Sequence, residues 1–193
     1  MKSLAVFCGA SVGNNPVYAA AAEALGQLLA REKITLVFGG GKVGLMGIIA
    51  DSVLDAGGAA IGVIPQGLLS REVAHTNLTQ LHVVKTMHER KALMASLSDA
   101  FVALPGGLGT FDEICEIITW NQLGILAKPC AFLNINNYFD PLLQMFDTCV
   151  AEGFLRKERR DSLIIAADGP GLLQRLKEFE PLLNDKWTDL KKT

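Results

Sequence analysis

Apolar runs alternate with segments of helical period along this chain. "SLAVFCG" near the start reads as a first strand. Asn15 then offers an N-cap and Pro16 a first helical position, for a helix running to about Glu32. "ITLVFGG" predicts a second strand, followed by a helix from about Gly44 to Asp55, and "AAIGVIP" predicts a third strand. The polar stretch "QGLLSREVAHTN" reads as a loop leading to a weaker strand, "LTQLHVV". Thr86, with Glu89 three residues on, makes a capping box that opens a helix ending near Ser98. "AFVALP", "PCAFLN" and "SLIIAA" predict further strands, and the last helical stretch is "GLLQRLKEFEPLL".

Strands and helices alternating in this way predict an α/β fold, a doubly wound and mostly parallel sheet with helices on both faces. No linker, low-complexity stretch or internal repeat interrupts the pattern, so residues 1–193 read as a single domain. In such a sheet, ligands bind in the crevice beyond the carboxyl ends of the strands. The Gly-rich turns fall at that edge: "CGASVG" after the first strand, "GGGKVGLMG" after the second, and "LPGGLGTFDE" after the strand at 100–104.

Composition narrows the function classes. Half of the chain is hydrophobic and 20% is charged, as in an ordinary globular protein. A formal net charge of −2 gives no broad basic field, which argues against a nucleic-acid polymer as partner. No apolar stretch approaches the ~20 residues of a membrane span, and "MKSLAVFCGASVG" reads as a strand and turn rather than a signal peptide. Cys8, Cys115, Cys130 and Cys149 have neither zinc-ligand spacing nor a disulfide framework, so a reducing cytoplasmic setting is the default. His75, His82 and His88 are scattered and predict surface or loop positions rather than a metal site.

Glycines let a helix N-terminus approach an anion without a Cβ in the way. One such turn is unremarkable, but three at one sheet edge point to a phosphate-bearing small molecule. "GGGKVG" has the formal spacing of a dinucleotide turn, yet the next strand ends "GVIP" without the acidic residue a ribose would require. No phosphate loop of the G-x-x-x-x-G-K-[ST] type occurs either. A mononucleotide or sugar phosphate fits better.

On a helical wheel of "TMHERKALMASLS", Met87, Leu93, Met94 and Leu97 form an apolar stripe that contains Arg90, with Lys91 on its rim. A guanidinium there needs an anion, a structural salt bridge or a path to water. Its planar fork suits a phosphate or a diol–carboxylate cluster. Glu113 follows the third Gly-rich turn. Thr110 can cap that helix, and Thr110-x-x-Glu113 is also a capping box, so two readings stand: a backbone cap, or a carboxylate beside a ribose whose phosphate sits on "GGLGT". Phe111, Ile114 and Ile118 mark one apolar face of the 110–123 helix, and Ile117 and Trp120 widen it. Such a helix is commonly buried on two sides, here against a second copy of the chain.

At these residues the sequence resembles the LONELY GUY (LOG) family. "PGGLGTFDE" fits P-G-G-x-G-T-x-x-E, "MHERK" precedes it, and the likeness runs from "FCGAS" through "WNQLGILAKP". The resemblance implies a Rossmann-like homodimer that hydrolyses cytokinin riboside 5′-monophosphates, or AMP, to free base and ribose 5-phosphate. It assigns Arg90 and Glu113 as the catalytic pair. It places Glu72, Arg90, Lys91, Gly106, Gly107, Leu108, Gly109, Thr110, Phe111 and Asp112 at substrate-binding positions. No metal or other cofactor is implied. The family's older label, lysine decarboxylase, would require a pyridoxal-phosphate lysine, and nothing around Lys42 or Lys91 suggests one. The rival reading is a non-catalytic nucleotide-binding or carrier protein of the same fold.

Overall fold

The computed structural model describes residues 1–69 and 74–181. Its strands are β1 (Ser3–Phe7), β2 (Thr35–Phe38), β3 (Ala60–Pro65), β4 (Gln80–Val84), β5 (Ala100–Ala103), β6 (Cys130–Leu133) and β7 (Ile164–Ala166). They form one sheet in the order β4-β3-β2-β1-β5-β6-β7, and every pairing is parallel. The helices between them are α1 (Val17–Arg31), α2 (Gly44–Asp55), α3 (Met87–Leu97), α4 (Leu108–Gln122), α5 (Asp140–Ala151), α6 (Lys157–Asp161) and α7 (Gly169–Lys177).

The unbroken apolar strands follow from burial on both faces. Leu4 and Val6 of β1 pack into the layer of α1, α2 and α7, whereas Ala5 and Phe7 pack into the layer of α3, α4 and α5. β5 divides the same way, Val102 on one side and Phe101 on the other. Chain order reverses between β1 and β5, which pair directly through Val6–Val102 and Phe7–Ala103. The turns leaving these two strands therefore open on the same crevice.

Several local expectations shift. Asn15 accepts the Val17 amide at 3.1 Å, as a capping residue should, but Pro16 occupies the N-cap position and α1 starts at Val17, one residue later than expected. The buried face of α3 carries Arg90, Lys91, Met94 and Ala95, while Met87 is exposed at the mouth of the crevice. On α4 the buried residues are Thr110, Glu113, Ile114 and Ile117, with Phe111 and Ile118 only half-buried. His75 lies in the loop between β3 and β4, as one half of its expectation had it, but it is buried and not on the surface, its Nε2 2.8 Å from Asp51 Oδ1 and its Nδ1 accepting the Asn77 amide at 3.3 Å. Residues 182–183 of the expected last helix lie outside the described residues, and α7 ends at Lys177.

Candidate active site

The crevice between the β1 and β5 turns is a cleft of about 570 Å³. Its floor and walls include Gly9 and Ser11 after β1, Met46 on α2, Arg90 on α3, and Gly107 and Glu113 around the start of α4.

α4 begins at Leu108, with Gly107 as its N-cap and no side-chain cap bond. Thr110 is thus inside the first turn rather than at the cap, which removes the capping-box reading of Glu113. The first intrahelical bond runs from the Phe111 amide to the Gly107 carbonyl at 3.1 Å. The amides of Leu108, Gly109 and Thr110 precede it and belong to the donors a helix start leaves to a ligand. Gly106 must lack a side chain, because a Cβ there would come 2.2 Å from Thr110 Oγ1 and 2.8 Å from the Gly9 nitrogen. Thr86, by contrast, does cap α3: it accepts the Glu89 amide at 3.1 Å, while Glu89 accepts the Lys85 amide at 2.8 Å.

Arg90 Nη2 lies 3.5 Å from Glu113 Oε1, and both side chains are close to nine-tenths buried. The guanidinium contacts the Met87 sulfur at 3.8 Å through Nη1, and its buried Nε has no hydrogen-bond partner among the described residues. A buried cation with spare donors fits a ligand that brings acceptors. Directly beneath it is Gly39, where a Cβ would sit 2.0 Å from Nη2. Gly39, at the head of the second Gly-rich turn, is therefore a floor for Arg90. Gly44 of the same turn is left-handed (φ 58°) and packs against the Ala10 backbone.

Lys91 is buried beside Arg90 and bridges α3 to α4, with Nζ 2.8 Å from Glu116 and 3.1 Å from Asp112. Burial pulls its pKa down, but the hydrogen bonds and charges of Glu116 and Asp112 together outweigh that and raise it. Asp112 is largely exposed and lines the cleft. The structure thus brings Arg90, Gly106, Gly107, Gly109, Thr110, Asp112 and Glu113 together around one cavity. Lys91 does not line the cleft itself but reaches it through Asp112. Leu108 points its side chain to solvent, 85% exposed. Phe111 stacks edge-on against Phe139 with its amide already engaged, so neither its ring nor its N–H faces the cleft. Glu72 lies outside the described residues.

Sequence reasoning missed Cys8, Tyr18 and Tyr138, which also line the cleft. Burial, and secondarily the Glu113 charge, push the Cys8 thiol well up, so it stays protonated beside the carboxylate. Tyr18 and Tyr138 meet edge to face with ring centres 5.6 Å apart. Nothing in their local sequence marks them; they become neighbours only when α1 and the segment after β6 fold over the same strands. Among the described residues no cluster of His, Cys, Asp and Glu could hold a metal ion.

These features define a Rossmann-like α/β protein with a small-molecule crevice at its topological switch point. A family profile described as "possible lysine decarboxylase" matches residues 46–176. The chain is 48% identical over 177 residues to the cytokinin riboside 5′-monophosphate phosphoribohydrolase of Rhodococcoides fascians, covering 91% of this chain and 89% of that protein. A like-named Arabidopsis thaliana protein is 45% identical, with coverage of 95% and 86%. The chain belongs to this family, the LONELY GUY proteins. Among solved structures, the molybdenum cofactor carrier protein of Chlamydomonas reinhardtii superposes with a TM-score of 0.69 at 20% identity, over 92% of this chain and 96% of that one. The molybdenum cofactor binding protein of Rippkaea orientalis gives 0.67 at 24%, over 91% and 95%. Those two establish a shared fold.

Proposed function

We propose that this chain is a phosphoribohydrolase: it cleaves the N-glycosidic bond of N6-modified adenosine 5′-monophosphates, the cytokinin riboside monophosphates, releasing free base and ribose 5-phosphate. The observation that carries this reading is the Arg90–Glu113 pair facing the same cleft as the amino end of α4. The α4 amides receive the 5′-phosphate, and that remote binding orients C1′ toward Glu113. As the bond from C1′ to the base breaks, positive charge builds on the ribose. The Glu113 carboxylate stabilises that charge and orients the water whose oxygen joins C1′, while the base departs with the bonding electrons and, in balance, takes up the proton that the water gives up. Arg90 fixes the nucleotide and keeps the carboxylate in place. No electrons are transferred, so the chemistry calls for no redox cofactor.

The whole chain acts as one nucleotide-binding domain, and its substrate is a small molecule rather than a nucleic-acid polymer, consistent with a net charge of −2. A homodimer is supported by half-buried Trp120 on α4 and by Leu123 and Ile125 just beyond it, 51% and 63% exposed. Four free cysteines support a cytoplasmic setting. No helix among the described residues is long and apolar enough to cross a membrane. A carrier role would leave the buried acid–base pair without a task.

A chromatographic screen of nucleoside monophosphates for released base tests the reading. Release from N6-isopentenyladenosine monophosphate, with little from the unphosphorylated riboside, supports it; nucleotide binding without release of base from any of them overturns it.

A further inference from the structure

Tyr138 lies outside every motif of the sequence, yet its hydroxyl donates to the Gly106 carbonyl at 2.5 Å, in the middle of the glycine turn. The segment that presents it is firmly set. Asn134 accepts the Phe139 amide at 2.7 Å and donates to Asp140 at 2.7 Å, and Asn136 and Asn137 adopt left-handed backbone angles between them. The Tyr138 ring is held edge-on by Phe139 at 5.1 Å and by Tyr18 at 5.6 Å. A fixed ring gives a fixed hydroxyl.

The Gly106–Gly107 peptide is trans, so its C=O and N–H point in opposite directions. Holding the Gly106 oxygen therefore sets the direction of the Gly107 amide. Two adjacent glycines are where such a peptide plane turns over at least cost, and a flipped plane would offer an anion a carbonyl instead of a donor. We propose that Tyr138 is a positioning residue for the phosphate end of the site: it latches this peptide so that the Gly107 amide joins those of Leu108, Gly109 and Thr110 as a donor set. The inference rests on the proposed function in one respect, that a 5′-phosphate sits at the start of α4.

Tyr138→Phe removes the hydroxyl and keeps the ring contacts. Calorimetric titration of wild type and variant with AMP and with adenosine separates the possibilities. AMP binding weakens about three- to tenfold, the scale of one net hydrogen bond, while adenosine binding is unchanged. Dissociation constants do not depend on the fraction of protein that folds, so partial misfolding leaves the comparison intact. An unchanged AMP affinity, or equal weakening for both ligands, overturns the latch. Wild-type protein that binds AMP no better than adenosine overturns the phosphate seat and the latch with it. AMP binding without any base release from nucleotides sinks the hydrolase reading alone, and the latch is still judged by the variant.

Discussion

Arg90 and Glu113 meet across the gap between α3 and α4, Nη2 to Oε1 at 3.5 Å, and each is almost wholly withdrawn from solvent. A buried cation and a buried anion at the edge of a cleft have interdependent roles. Removing one changes both the stability and the chemistry of the other.

Arg90→Ala takes the cation from a buried carboxylate and should cost about 3 kcal/mol of stability, the usual scale for breaking a buried pair. Arg90→Lys should recover much of that stability but little activity, because a single ammonium cannot replace the planar fork. Urea unfolding alongside kcat/KM distinguishes the two losses.

Gly39→Ala tests the floor beneath the guanidinium. The new Cβ would sit 2.0 Å from Arg90 Nη2 and 3.0 Å from Met46 Sδ, so the flexible arginine must move. Displacement of a catalytic group by about 1 Å can lower rates ~100-fold. We expect a fall of at least about tenfold in kcat/KM with a melting temperature within a few degrees of wild type. Undiminished activity would mean that the guanidinium's placement is unimportant.

Much of this was legible in the chain, for reasons that differ by residue. The strands announced themselves because burial on both faces demands continuous apolar runs, and α2 began and ended where expected, at Gly44 and Asp55. Arg90 stood out as a charge on an apolar stripe, and its burial followed. Glu113 remained ambiguous until α4 was seen to start at Leu108 rather than at a Thr110 cap, a choice set by how Gly106 packs on Gly9 and Thr110. The packing role of Gly39 under Arg90 was not legible, because close packing against a side chain and close approach of a phosphate select the same residue. His75 read as a surface or loop residue in sequence; it is buried, and its ring partner is Asp51 of α2, 24 positions earlier in the chain.

Alkaline pH should destabilise the protein. Burial pushes the Cys130 thiol from an ordinary 9.0 up to about 12, partly offset by the Asn121 hydrogen bond, and Cys8 also shifts upward. The raised Lys91 works in the same direction. Above about pH 9 the unfolded chain releases protons that the native state keeps, so stability present at neutral pH is lost as pH rises toward 12. Urea midpoints between pH 7 and 11 should hold level and then fall, with a shallower fall in Cys130→Ala. A level profile to pH 11 would contradict these shifts.

The α3 cap offers a contrasting perturbation. Thr86→Ala removes the oxygen that accepts the Glu89 amide and should cost about 1 kcal/mol. Arg90 sits one turn further on and is held by tertiary contacts, so kcat/KM should change less than twofold or so. A large loss of activity would tie the cap to the site.

The central claim is tested most directly by Glu113→Gln, assayed for free base and ribose 5-phosphate from N6-isopentenyladenosine monophosphate alongside nucleotide affinity. The carboxylate's proposed role predicts near wild-type binding and product formation lowered by about 10²–10³-fold, the scale of losing one preorganised electrostatic group. Hydrolysis at the wild-type rate by the glutamine variant would contradict it.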